Sequence, residues 1–81
     1  MTRDEIFAAL KGNMASIIPG FGDRAVAESD SLVKDFGADS LQVVEIVSRT
    51  MRAANVRVKR TELNKAANIG ELLDILCSAG T

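Results

Sequence analysis

Ser40 stands in the stretch Phe36-Gly37-Ala38-Asp39-Ser40-Leu41, where a polar loop gives way to an apolar helical pattern. That junction puts the serine on the first turn of a helix, with its hydroxyl at the surface. A serine hydroxyl becomes a nucleophile when a general base lies within hydrogen-bond reach and donors await the oxyanion. The chain contains no histidine to serve as that base. Asp39 is adjacent, but a carboxylate is a poor base for a hydroxyl near neutral pH. Lys34 or Lys59 would need a strongly depressed pKa, and a thin domain offers little burial to depress it. No cluster of His and Cys exists, and Asp35 and Asp39 do not make a calcium loop, so no metal site is expected. Ser40 therefore reads as a residue that a separate enzyme modifies, and the chain as no enzyme itself. The free N–H groups and dipole of a helix N-terminus favour an anion, so a phosphodiester on Ser40 would be stabilised there. Gly37 lets the backbone turn sharply just before it. The plainer alternative is that Ser40 is an ordinary helix-start serine.

The elements that must position this residue are helical. Thr2 and Glu5 have capping-box spacing, and Ile6, Phe7, Leu10, Met14, Ile17 and Ile18 recur at three-to-four-residue intervals. They predict a first helix over residues 3–18, stopped by Pro19 and Gly20. Residues 19–38 form a long connection, with Phe21, Val26, Leu32, Val33 and Phe36 as expected anchors. Within it, 31–35 suit a helical turn capped from Asp30. Asp39, with Gln42 three residues on, caps a second helix from Ser40 to Ala53 or Ala54. Its expected stripe is Leu41, Val44, Val47 and Met51, widened by Val43 and Ile46, with Asn55 as the stop. Val56 and Val58 alternate with basic residues as an extended link, and residues 61–65 make a brief helical turn burying Leu63. Asn68 caps the last helix, where Ile69, Leu72, Leu73 and Leu76 repeat at i, i+3, i+4 and i+7, and Gly80 ends the order. The expectation is all-α: a small four-helix bundle of three main helices and one short one, with a long first loop.

Size and charge narrow the class. Eighty-one residues make one domain over 1–81, with one thin core and no deep catalytic cavity. No apolar run approaches the ~20 residues of a membrane span. The charged start Met1-Thr2-Arg3-Asp4-Glu5 leads straight into a helix and is not a signal peptide, and the single Cys77 has no partner for a disulfide. These features point to a cytoplasmic protein and to Cys77 as half-buried packing. Net charge is −1, and neither Trp nor Tyr is present to stack on bases, so no nucleic-acid partner is expected. The basic residues are nonetheless uneven. Arg49, Arg52, Arg57, Lys59 and Arg60 fall within twelve positions, with no acid between Ile46 and Thr61. That stretch is either a solvated face or a docking surface for an acidic partner.

With these residues in view, the chain resembles the acyl carrier protein family. The resemblance lies in Leu32, Gly37-Ala38-Asp39-Ser40-Leu41, Val44-Glu45-Ile46-Val47 and Asn68-Ile69-Gly70-Glu71-Leu72, and it covers nearly the whole chain. It implies that Ser40 bears 4′-phosphopantetheine, attached from coenzyme A by a magnesium-using phosphopantetheinyl transferase. Asp39 would then help present the serine, Leu41 would be an exposed apolar docking residue, and Glu45 a polar contact on the same face. An acyl group would ride on the arm as a thioester. Gln42, Glu45, Arg49, Arg52 and Arg60 are the expected partner contacts. Met14 and Met51 are core fillers that could line a groove for a short acyl chain, and Phe7, Phe21 and Phe36 belong to the core.

The charge of the second helix separates this chain from the housekeeping fatty-acid carriers, whose second helix is typically strongly acidic. Here Gln42, Glu45, Arg49 and Arg52 make it slightly positive, which suits a specialised, freestanding, monomeric carrier of polyketide biosynthesis. Val58-Lys59-Arg60-Thr61-Glu62-Leu63 and Asn68-Ile69-Gly70-Glu71-Leu72-Leu73-Asp74 resemble the tail of donor carriers in polyketide β-branching cassettes. Val43-Val44 departs from the more polar residues of that group. Such carriers deliver acetyl to an enzyme similar to 3-hydroxy-3-methylglutaryl (HMG) synthase. The implied partners are the transferase, an acyltransferase or decarboxylase, and a ketosynthase or HMG-synthase-like enzyme. A peptidyl carrier, a general fatty-acid-type carrier and an unmodified helical adaptor for an acidic protein remain as alternatives.

Overall fold

In a computed structural model, residues 2–22 and 24–79 are described. They form four helices, α1 (Arg3–Ile17), α2 (Ser40–Ala54), α3 (Arg60–Leu63) and α4 (Ile69–Ala79), with no strand among the described residues. The all-α plan of three main helices and one short one is the plan expected. Gly80 lies outside the described residues.

α1 begins as its sequence dictates. The Thr2 hydroxyl accepts from Glu5 N, and Glu5 Oε1 accepts from Thr2 N at 2.8 Å. Those Thr2 hydrogen bonds, the backbone one first, hold the Glu5 carboxyl below the usual carboxylate range. The box is therefore intact at neutral pH and weakens as acid protonates Glu5. The helix closes at Ile17, one residue earlier than expected. Ile18 is extended (φ −85°, ψ 115°) because the ring of Pro19 disfavours helical backbone in the preceding residue. Ile18 is still buried.

The core is one cluster. Ile6, Leu10 and Met14 of α1 meet Ile46 and Val47 of α2 and Ile69, Leu72, Leu73 and Leu76 of α4. α1 packs chiefly on α2 and then on α4. The buried face of α2 follows the expected stripe only in part, with Val43 and Met51 packed against the core beside Ile46 and Val47. Ile46, Val47 and Thr50 are buried, whereas Leu41 is 81% exposed and Val44 37%. Thr50 can occupy the core because its hydroxyl is satisfied twice. It donates to Ile46 O at 2.8 Å and accepts from Asn13 Nδ2 of α1 at 2.9 Å. A paired threonine avoids the desolvation penalty that hydropathy assigns to it, so the buried arc rotates away from Leu41.

The long connection is tied down at both ends. Phe21, Leu32 and Phe36 are buried and Val26 half-buried, with the Phe21 and Phe36 rings 5.7 Å apart. Arg24 lies over the Phe36 ring and donates to Asp35 O. Val33, expected as an anchor, is 59% exposed. Leu32 and Phe36 are four apart and face inward together, which turns Val33 outward. The turn is capped by Ser31 rather than Asp30. Ser31 Oγ accepts from Lys34 N and Asp35 Oδ2 accepts from Ser31 N, while Asp30 accepts instead from Ala27 N.

At its far side the connection joins α4. Ile69 N donates to Asp30 O and Gly70 N to Glu28 O. Gly70 eases that approach, since a Cβ there would lie 3.2 Å from the Glu28 side chain and 3.3 Å from its carbonyl oxygen, a tight contact that Glu28 would have to relieve. Arg3 fastens the same corner, pairing with Glu28 and Asp74 and donating to Gly70 O at 3.1 Å. Both carboxylates raise its pKa further above the ordinary guanidinium value, the Glu28 hydrogen bond most strongly. Asn68 Oδ1 caps α4 through Glu71 N, as expected, and Glu71 reaches back to Ala67 N. α3 starts at Arg60 rather than Thr61, and Leu63 is half-buried.

Candidate functional site

The segment that presents Ser40 is built from hydrogen bonds on both sides of it. Upstream, Gly37 N donates to Val33 O (3.1 Å) and Ala38 N to Leu32 O (3.0 Å). This closure requires Gly37 at φ +67°, in the left-handed region that glycine enters without cost. Ala38 follows and is buried at 2% exposure, which anchors the chain immediately before the helix. Downstream, Asp39 Oδ1 accepts from Gln42 N at 2.8 Å and Gln42 Oε1 from Asp39 N at 3.0 Å. Ser40 is thus the first helical residue, exposed and fixed in position by a glycine turn before it and a reciprocal cap around it. No hydrogen bond engages its hydroxyl among the described residues. No group of three or more His, Cys, Asp or Glu among them could hold a metal ion.

Gly37→Ala tests this presentation. The added Cβ would meet open space, so its cost is conformational, about 1–2 kcal/mol for a non-glycine residue in the left-handed region. The expected result is a lower urea midpoint together with slower modification at Ser40.

The other expected site residues divide. Leu41 is almost fully exposed beside Ser40. Gln42 is committed to the cap. Glu45 and Arg49 are committed to each other, Arg49 donating to Glu45 Oε1 at 3.0 Å through Nε and lying 2.9 Å away through Nη2. Arg52 lies three turns along α2, about 18 Å along the axis from Ser40. Arg52 and Arg60 are exposed and have no ion pair among the described residues. The structure therefore gathers Ser40, Leu41 and Val44 at one end of α2 and leaves Arg52 well apart from them.

Beside that end lies an apolar pocket of about 150 Å³. Val43, Val44 and Val47 of α2 form one wall, and Leu63, Ile69 and Leu72 the other. Val33 and Arg60 also line it. Met14 and Met51 do not: Met14 is completely buried and Met51 packs against the core. The groove thus lies on the valine side of α2 rather than the methionine side. The outward valines could have been found from Leu32 and Phe36, whose spacing sends Val33 out. Nothing local marks Arg60 as a pocket residue.

This site fits a phosphopantetheine group. The Ser40 hydroxyl is exposed and without a hydrogen-bond partner among the described residues, and Ser40 opens a fifteen-residue helix whose N-terminal dipole would favour a phosphate. Comparison with known proteins agrees. Residues 14–76 match the family model described as the phosphopantetheine attachment site. The polyketide biosynthesis acyl-carrier-protein AcpK of Bacillus subtilis is 32% identical over 76 residues, 94% of this chain and 92% of that protein. The acyl carrier protein of Thermotoga maritima is 29% identical over 75 residues, 93% of this chain and 91% of that protein. Among solved structures, a chain in the crystal structure of the Curacin biosynthetic pathway HMG synthase in complex with acetyl donor-ACP superposes with a TM-score of 0.84. It is 32% identical, and the match covers 96% of this chain and 99% of that one. On this glycine-turned, capped serine helix, its four-helix plan and these likenesses, the chain belongs to the acyl carrier protein family, whose members are phosphopantetheine-bearing carriers rather than enzymes.

Proposed function

We propose that Ser40 is the attachment residue and that the protein, acting as one domain over 1–81, is a monomeric cytoplasmic polyketide carrier that donates acetyl to an HMG-synthase-like enzyme. The observation that carries this reading is the likeness, along nearly the whole chain, to a component of an HMG synthase complex with an acetyl donor carrier. When bound, the arm supplies a thiol that holds an acyl group as a thioester. The protein's own residues do the rest. Asp39 and Gln42 lock the first turn so that Ser40 meets a transferase in one orientation. Leu41 and Val44 offer apolar surface to a partner. The Glu45–Arg49 pair leaves no unpaired acid on α2, while Arg52 supplies free positive charge. A partner socket for this face is apolar with an acidic rim, the opposite of one made for an acidic helix.

No helix among the described residues is long and apolar enough to cross a membrane. An acetyl-transfer assay tests the proposal. A synthase-like enzyme of a β-branching pathway is expected to take acetyl from this carrier at least tenfold faster than from a housekeeping carrier with an acidic second helix. Equal rates from the two would remove the donor assignment.

A further inference from the structure

Between α2 and α3 the chain is extended over 56–59, with Val56 and Val58 half-buried and Arg57 and Lys59 exposed. In an extended chain, residues two apart point the same way at a spacing of about 7 Å, so the two cations stand side by side. Val56 N donates to Met51 O, and Lys59 O accepts from Glu62 N and Leu63 N. Between those bonds the backbone is open. The N–H groups of Arg57, Val58 and Lys59 and the carbonyls of Val56, Arg57 and Val58 meet no partner among the described residues. A row of open donors and acceptors is what a further extended segment can pair with.

A groove of about 510 Å³ accompanies this link, lined by 57–59 and by Asp74, Ile75 and Ala79 of α4, with Glu62 beside them. Its two acids are already engaged: Glu62 lies 3.1 Å from Lys65 Nζ, and Asp74 accepts from Arg3. Its two cations are not. Arg57 and Lys59 have no ion pair among the described residues, and neither do Arg52 on the last turn of α2 and Arg60 at the start of α3. No acid lies between Ile46 and Thr61 to answer these four charges. The free charge along the open backbone is therefore positive, with apolar Val58, Ile75 and Ala79 next to it. The groove takes no lining residue from α2 or from the turn that presents Ser40.

We propose that the 56–59 link is a second docking site, and that its occupant is an extended acidic segment of a partner protein. That segment pairs along the open backbone and sets alternate Asp or Glu side chains against Arg57 and Lys59. Main-chain hydrogen bonds supply affinity in this mode of recognition, and alternate side chains supply specificity. The cations make the selection: they repel a basic segment and a second copy of this link alike, and they attract an acidic one. A partner held here leaves Leu41 and Val44 open to an enzyme, so the carrier can be retained in an assembly while its other end is served. The site stands whether or not Ser40 carries an arm.

The test uses a fluorescein-labelled peptide of sequence Leu-Glu-Val-Glu-Leu, read by fluorescence anisotropy against the full chain at low salt. Its controls are the same peptide with lysine in place of glutamate and the same peptide with N-methylated amides, which cannot donate main-chain hydrogen bonds. The acidic peptide is expected to bind about tenfold tighter than the lysine peptide, the effect of two exposed charge pairs. N-methylation should weaken it about fivefold, by removing main-chain bonds. Amide resonances of Arg57, Val58, Lys59 and Ile75 should shift, and those of Ser40 and Leu41 should not. Arg57→Glu combined with Lys59→Glu should lower affinity about tenfold or more, whereas Lys34→Glu, a cation outside the groove, should change it less than twofold. The double variant is expected to melt within about 3 °C of the wild type, since both side chains are exposed. Absence of binding, equal affinity for the acidic and lysine peptides, or affinity untouched by N-methylation would overturn the proposal. So would equally tight binding of a single-stranded oligonucleotide or of phosphatidylglycerol vesicles, which would show a patch that takes any anion.

Discussion

Ser40→Ala is expected to abolish attachment of the phosphopantetheine arm while leaving the fold unchanged. Incubated with coenzyme A, magnesium and a broad-specificity transferase, the wild-type protein should gain the mass of one arm and the variant none. The reason to expect a clean separation is structural. Ser40 is exposed, its hydroxyl has no partner among the described residues, and the N-cap of α2 is the neighbouring Asp39. Alanine is the best helix former, and surface substitutions away from caps and cores stay within about 0.5 kcal/mol. Helical circular dichroism and the melting temperature should therefore be those of the wild type. Asp39→Ala gives the contrasting pattern: attachment persists at a reduced rate, and stability falls by about 1 kcal/mol through loss of the cap. A mass gain that survives in Ser40→Ala would place the arm elsewhere and sink the assignment.

Leu41→Glu is expected to cost partner transfer and nothing in stability. Leu41 is 81% exposed, so its side chain adds little to the core. Covering a leucine at an interface contributes about 1.5–3 kcal/mol, and losing it should lower kcat/KM for acyl transfer to the partner by roughly ten- to a hundredfold. A glutamate in the first turn of α2 interacts favourably with the helix dipole, so the melting temperature should hold or rise slightly. That opposition makes the test informative. A variant that loses transfer while melting no lower has lost a docking contact, not its fold. If transfer kinetics stay at the wild-type level, Leu41 is not part of the partner surface, and Val33 and Val44 become the residues to examine.

Both expectations combine what is local with what is not. The first turn of α2 was legible because its determinants are neighbours in sequence: Gly37 for the left-handed turn, Asp39 and Gln42 for the reciprocal cap, Ser40 next in line. The Thr2–Glu5 box, the Asn68 cap of α4 and the stop at Asn55, left-handed at φ 56° with Val56 N bonded to Met51 O, are of the same kind. Each is decided within about six residues, where chain connectivity alone brings the groups together.

Other features depend on contacts that sequence spacing does not encode. The inward arc of α2 is the clearest case. Hydropathy alone would bury Leu41 and Val44 ahead of Thr50, yet Asn13 of α1 meets Thr50 across the helix interface and reverses that order. Arg3 joins Glu28, Gly70 and Asp74, residues far apart in the chain, and so sets where the long connection lies on α4. Arg60 is one of five closely spaced basic residues in the sequence, and only the packing of α2, α3 and α4 makes it the one charged group on an apolar pocket. The sequence by itself determined the main helices, their caps, the exposed serine that opens α2 and the family. Tertiary packing decided which apolar side chains remain outside, which charges are already paired and where a pocket opens, because burial and pairing are settled between elements rather than along them.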